Sequence, residues 1–169
     1  LCRELAVDIL IPGVDEELLP IAQARESVGC EVLLPPMEFV RTHLDKLTSN
    51  SLLQAYGLPA PQTKTLSEHQ HHISFPCIVK PRCGRGSRDV AVVYSEQELQ
   101  AHVVLSRRLP EDFIVQELLQ GQEYTIMLSA DRTGRLFAVV PVLVGIKKGI
   151  TLRARTDRDD VVIAACVAI

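Results

Sequence analysis

The amino-acid sequence predicts a mixed α+β protein that opens with a short α/β layer. Three observations carry this. Residues 6–34 read as strand, helix, strand, the pattern of a parallel α/β unit. From residue 45 onward, strands and helices alternate without a strict βαβ order. Gly and Pro punctuate the apolar runs at intervals suited to hairpins as well as to helix ends.

The elements follow in order. Ala6–Ile11 is an apolar run interrupted only by Asp8 and reads as a buried strand. After the Pro12-Gly13 turn, Asp15 is placed to cap a helix to about Val28, with Glu16 and Glu17 complementing its dipole. Pro20 lies inside that helix and predicts a late start or a kink. Gly29 ends it, and Glu31–Leu34 is the next strand. A helix is expected from Asp45 to Tyr56, closed by Gly57 and Pro59. An extended stretch at Gln62–Thr65 and a polar loop at Ser67–Ser74 precede a strand at Cys77–Lys80. The Gly/Arg loop Pro81–Arg88 and a strand at Asp89–Tyr94 come next, then a helix to Leu105 opened by the capping-box spacing of Ser95 and Glu98. Strands are expected at Phe113–Glu117, Glu123–Ala130 and Leu136–Leu143, with turns at Gln120-Gly121 and Asp131–Gly134. A loop at Gly145–Gly149, a strand at Ile150–Ala154 and a helix at Asp160–Ile169 complete the chain.

Composition narrows the function classes. The 169 residues suit one domain or two small subdomains. A net charge of -3, no Trp, four Phe and three Tyr argue against a nucleic-acid binder. The longest apolar runs, Ala138–Ile146 and Val161–Ile169, fall far short of a membrane span. No leader pattern opens the chain. Five scattered cysteines form no CxxC pair, which disfavours a disulfide scaffold or structural zinc site and suits a reducing cytoplasm. The chain starts at Leu1 and stops inside an apolar helical pattern, so it reads as a piece of a longer protein.

The most specific local feature is Ile78-Val79-Lys80-Pro81-Arg82-Cys83-Gly84-Arg85-Gly86-Ser87-Arg88. Four cations fall within nine residues without an acid, and two glycines allow backbone amides to approach an anion closely. Alone, such a loop also fits a solvated hairpin tip. A phosphate loop of the Gly-Lys-Ser/Thr kind is absent, and the spacing lacks the third glycine and following helix of a dinucleotide fingerprint. A second feature, Phe113-Ile114-Val115-Gln116-Glu117-Leu118-Leu119-Gln120-Gly121-Gln122-Glu123-Tyr124-Thr125, puts polar groups at a strand end and a carboxylate six residues on; alone it is an ordinary hairpin. A third, Asp45-Lys46 followed by Gly57-Leu58-Pro59-Ala60-Pro61-Gln62-Thr63, places a lysine at a helix start, where a surface lysine is the plain alternative. His69-Gln70-His71-His72 reads as a polar loop rather than a metal site, for want of a partner carboxylate.

In this order and spacing, with 34 residues from Lys46 to Lys80 and 37 from Lys80 to Glu117, the chain resembles the ATP-grasp superfamily. Asp8–Asp15 and Pro141–Thr156 look most like its carbamoyl-phosphate-synthase large-subunit-like branch. The resemblance implies an ATP-grasp fold of two α+β subdomains clasping ATP. Residues 1–44 would be the end of a preceding α/β domain and residues 45–169 an incomplete nucleotide-binding domain with a lid subdomain at about 61–113. It implies that Lys46 and Lys80 contact phosphates and that Arg82, Gly84, Arg85, Gly86 and Ser87 cover them. It places Gln116, Glu117, Leu118 and Leu119 at the adenine edge, without deciding between Gln116 and Glu117 for the amino group, and Glu123 at the ribose. Cys83 matches no catalytic position. Lys147, Lys148, Thr151, Arg153 and Arg155 are candidates for the substrate side, with a solvated loop as the alternative. The implied reaction is an ATP-dependent ligation through an acyl phosphate, using ATP, Mg2+ and a small carboxylate or bicarbonate. The metal ligands are expected beyond residue 169, with none in the chain. An amino-acid or peptide ligase, or a non-catalytic nucleotide-binding module, are the alternatives. The resemblance also allows a cytoplasmic homodimer.

Overall fold

The computed structural model describes residues 1–68, 73–131 and 133–167. His69-Gln70-His71-His72, Arg132 and the last two residues lie outside them, so the polar-loop reading of the histidines and one turn position fall beyond what is described. The chain forms two units: residues 1–55 with 59–118, and residues 56–58 with 119–169. The expected boundary at residue 45 falls inside the first of these.

The first unit opens with β1 (Ile9–Leu10), α1 (Asp15–Val28), β2 (Glu31–Val32), α2 (Met37–Leu44) and α3 (Lys46–Ala55). β1 and β2 are parallel, Ile9 opposite Glu31, as the strand-helix-strand pattern predicts. The strands are much shorter than expected. Residues 2–6 turn instead, with Leu5 N–H donating to the Leu1 carbonyl and Val7 N–H to that of Cys2. Ile9 and Ile11 are more than half exposed, so the run is not a buried strand. A strand needs a paired neighbour as well as apolar residues, and the ladder here is two residues long. Helix α1 runs unbroken through Pro20, and Val14 rather than Asp15 is its capping residue. No side chain caps α1 from that position; the Glu17 carboxylate accepts from the Gly13 N–H at 3.2 Å one step earlier. Gly29, at φ 83°, ends it in the left-handed conformation that glycine adopts without strain. Helix α2 has no counterpart in the sequence-based expectation.

The rest of this unit is a four-stranded sheet in the order β3 (Thr63–Thr65), β6 (Phe113–Glu117), β4 (Cys77–Pro81), β5 (Ala91–Val93), covered by α4 (Glu96–Ser106). All its pairings are antiparallel. The Ser95 hydroxyl accepts from the Glu98 N–H at 3.2 Å, while the Glu98 carboxylate reaches back to the Tyr94 N–H at 2.8 Å. The capping spacing therefore works, with its return arm displaced by one residue. The period of two then divides the sheet. Cys77, Val79, Val93, Phe113 and Val115 turn to one face and pack with Leu99 and Val103 of α4 and with Ile73, forming the core. The opposite face receives Thr63, Lys80, Ile114 and Gln116. That division places the polar candidates.

The second unit is an antiparallel sheet of β7 (Tyr124–Ala130), β8 (Leu136–Lys148) and β9 (Ile150–Thr156), followed by α5 (Asp160–Val167), which packs on β8. The expected loop at Gly145–Gly149 is corrected: β8 continues to Lys148, with an irregular register between Val144 and Lys147. Gly145 is absorbed as a bulge, where an added Cβ would come within 3.2 Å of the Arg153 carbonyl oxygen, and only Gly149 turns the chain. The Tyr124 hydroxyl donates towards Asp157 at 3.2 Å and Asp159 at 3.4 Å, and Asp159 Oδ1 caps α5 through the N–H groups of Val161 and Val162.

Candidate functional site

The loop after β4 joins the first unit's sheet to its helices. Gly84 and Gly86 sit at φ 113° and 70°, conformations that only glycine adopts cheaply, and the following Ser87 is also left-handed at φ 54°. The base of the loop is bound to α3. The Arg82 carbonyl accepts the Lys46 N–H at 2.9 Å, and Lys46 Nζ donates to the Gly84 carbonyl at 2.8 Å. The Arg82 guanidinium grips the Asp45 carboxylate through both Nε and Nη2. Asp45 also accepts the Leu47 N–H at 2.9 Å, opening the helix. Further along the loop, Arg85 pairs with Glu16 of α1 at 2.9 Å. Two of the loop's predicted phosphate-covering cations are thus held by carboxylates, and the lysine predicted beside them braces the loop. A pocket of about 500 Å³ opens beside it, lined by residues that include Asp15, Leu44, Asp45, Cys83 and Gly84.

Burial by itself would raise the Asp45 carboxyl, but the Arg82 guanidinium and the Leu47 N–H outweigh it and hold it below the usual range. Hydrogen bonding to Asp45 raises Arg82 correspondingly. Desolvation, with the Asp45 charge beside it, pushes the Cys83 thiol up, so Cys83 lacks the depressed thiolate pKa of a reactive cysteine. The Asp45 side chain is 19% exposed and that of Arg82 34%, so the pair's contribution is discounted for solvent to about 1 kcal/mol. A carboxyl depressed by folding stabilises the native state above its unfolded pKa, near 3.9, and loses this as pH falls through the folded value. Asp45→Asn is therefore expected to lower the Tm by about 2–4 °C between pH 5 and 8. The difference should shrink as pH falls below about 3.9 and through the depressed folded value. A difference that stays constant down to pH 3 in thermal melts would refute this account.

On the sheet face opposite α4, Lys80 Nζ donates to Gln116 Oε1 at 2.7 Å, and Gln116 Nε2 donates to Thr63 Oγ1 at 2.7 Å. Glu117 points elsewhere, its carboxylate accepting the Gln62 N–H at 2.9 Å. Of the two adjacent candidates, the fold thus brings Gln116 to Lys80. Leu118, half-buried, ends this unit. In the second unit Leu119 is exposed, and Glu123 pairs with Lys147. A ribose candidate and a substrate-side candidate are therefore partners in one ion pair. Lys148 and Thr151 flank the turn between β8 and β9, while Arg153 lies opposite Ile146 beside the bulge. The sequence reading placed Asp45 and Thr63 in motifs but gave them no role; both became visible only through their partners. Among the described residues, no three His, Cys, Asp or Glu side chains gather as a metal-holding group, and no helix is long and apolar enough to cross a membrane.

Residues 44–158 match the family model described as an ATP-grasp domain. The chain belongs to the ATP-grasp family. Among its relatives, this ATP-grasp chain is 25% identical over 133 residues to a carbamoyl-phosphate synthase of Methanobrevibacter smithii, covering 71% of this chain and 34% of that one. It is 30% identical over 137 residues to a 3-methyl-D-ornithine--L-lysine ligase of Methanosarcina acetivorans, covering 79% and 33%. The chain thus spans about a third of the length of these relatives. Among solved structures it is similar in fold to the VanG D-Ala:D-Ser ligase of Enterococcus faecalis, with TM-score 0.71, 18% identity and coverage of 96% and 55%. The pyruvate carboxylase of Rhizobium etli gives TM-score 0.73 at 18% identity, covering 88% and 14%. The ATP-grasp fold and the α+β class stand as the sequence predicts.

Proposed function

We propose that this chain is the nucleotide-binding portion of an ATP-dependent ligase that joins a carboxylate, or bicarbonate, to an amine or ammonia. The observation that carries the reading is the Lys80–Gln116 pair on the polar sheet face, followed directly by the glycine and arginine loop. A neutral amide orients an ammonium towards a phosphate without itself cancelling the charge. In the proposed reaction a carboxylate oxygen attacks the γ-phosphorus of ATP, the bond to ADP breaks, and an acyl phosphate forms. The amine then adds to the acyl carbon and phosphate leaves. Lys80 and Lys46 would hold phosphates, Arg82 to Ser87 would cover them, Gln116 to Leu119 would meet the base, and Glu123 would meet the ribose. Lys147, Lys148, Thr151 and Arg153 are proposed for the substrate side. Residues 1–44 are proposed as the end of a preceding α/β domain. Mg2+ would neutralise phosphate charge when bound.

The carbamoyl-phosphate-synthase-like branch is the favoured assignment, supported by the M. smithii relative. An amino-acid ligase is the second reading, favoured by the ornithine–lysine ligase, which matches more of the chain. For the full-length protein both predict ADP release with ATP and Mg2+, and transfer of labelled oxygen from the carboxylate into phosphate. Dependence on bicarbonate and ammonia is the expected result. Dependence on a pair of amino acids would select the second reading, and ATP binding without turnover would leave a non-catalytic nucleotide module.

A further inference from the structure

Three side chains from three neighbouring strands form a line of hydrogen bonds whose direction is set at both ends. Thr63 of β3 stands opposite Gln116 of β6, and Lys80 of β4 stands opposite Ile114, two residues along the same face. The Thr63 hydroxyl donates to the Pro61 carbonyl at 3.0 Å. Its one hydrogen is thereby used, so towards Gln116 its oxygen can only accept. Gln116 must present its NH2 group there, and does, at 2.7 Å. At the other end Lys80 can only donate, so it requires the amide oxygen, which it finds at 2.7 Å. A flipped amide would set donor against donor at Lys80 and acceptor against acceptor at Thr63's committed hydroxyl. Gln116 is 8% exposed, leaving little room for water to repair that error.

We propose that Thr63 is a positioning residue for the nucleotide phosphates: it fixes the Gln116 amide, which orients the Lys80 ammonium. This rests on the ATP-binding reading above and adds a residue that acts through two hydrogen bonds on the lysine that would meet the ligand. Thr63→Val keeps the β-branched shape suited to a strand and removes only the hydroxyl. The Gln116 amide then loses the partner that sets its orientation.

The test is isothermal titration of the protein with ATP and, separately, with inorganic triphosphate, which has the phosphates without the base and ribose. Thr63→Val is expected to weaken ATP binding about tenfold, the loss of one oriented buried hydrogen bond. Triphosphate affinity should fall by about the same factor, and Thr63→Ser should restore ATP binding to within about twofold. In a Gln116→Met background, Thr63→Val should add nothing, because the intermediary is gone. If Thr63→Val fails to fold in thermal melts, Thr63→Ala carries the same expectations. Unchanged ATP affinity, unchanged triphosphate affinity, or failure of serine to restore binding would each overturn the positioning role. A wild-type protein that does not bind ATP would overturn the nucleotide reading and this role with it. Wild-type binding that Lys80→Ala weakens and Thr63→Val does not would overturn this role alone.

Discussion

Lys80→Ala is expected to weaken ATP binding by about tenfold to a hundredfold, because a hydrogen bond to a charged group contributes about 1.5–3 kcal/mol. Saturating ATP at about 100 times its Kd should raise the wild-type Tm by about 5–10 °C, and the variant should keep between about a sixth and a half of that shift at the same concentration. The size follows from where the lysine sits. A strand in a central pairing fixes its backbone, and Gln116 Oε1 fixes its ammonium at 2.7 Å, so little side-chain entropy remains to be lost on binding. Lys46 offers the internal contrast. Its ammonium is engaged by the Gly84 and Arg82 carbonyls, so Lys46→Ala should loosen the loop as well as remove a phosphate contact. Equal ATP shifts in wild type and Lys80→Ala would remove the basis for assigning the phosphates to this face.

The largest stability effect is expected at Phe113. Its side chain is 0% exposed and sits in the core with Cys77, Val79, Leu99, Val103 and Val115, its ring meeting that of His102 edge-on at 6.2 Å. Phe113→Ala removes a whole aromatic ring from a closed cluster and should cost about 3–5 kcal/mol. At about 2–4 °C per kcal/mol that lowers the Tm by roughly 6–20 °C. Val104 is the control. It lies on the same helix as Leu99 and Val103 but on the outer face, 74% exposed, so Val104→Ala should change stability by no more than about 0.5 kcal/mol. Comparable losses for the two variants in denaturant titration would show that the α4 packing described here is wrong.

Much of the fold was legible because several signals are local. Gly29 marks the end of α1, Ser95 and Glu98 mark the start of α4, and Phe113–Glu117 carries strand formers between turn residues. Each depends on groups a few residues apart. Readings that needed a distant partner fared worse. The run at Ala6–Ile11 has strand composition, yet its length is set by a two-residue partner more than twenty positions away. Gly145 has the look of a loop residue, and whether it breaks a strand or bulges depends on β9 opposite it.

The candidate site divides the same way. Residue order and type alone determined that a lysine ends a strand before a glycine and arginine loop, and that a polar pair ends a later strand, because strand period and glycine chemistry are properties of neighbouring residues. Only the tertiary structure decided that Gln116 rather than Glu117 meets Lys80, that Arg82 answers to Asp45, and that Thr63 orients the amide between them. The meeting of Gln116 with Lys80 and with Thr63 follows from antiparallel register. Shifting β6 by one residue against β3 and β4 would exchange its two faces, and nothing within a single strand fixes that register.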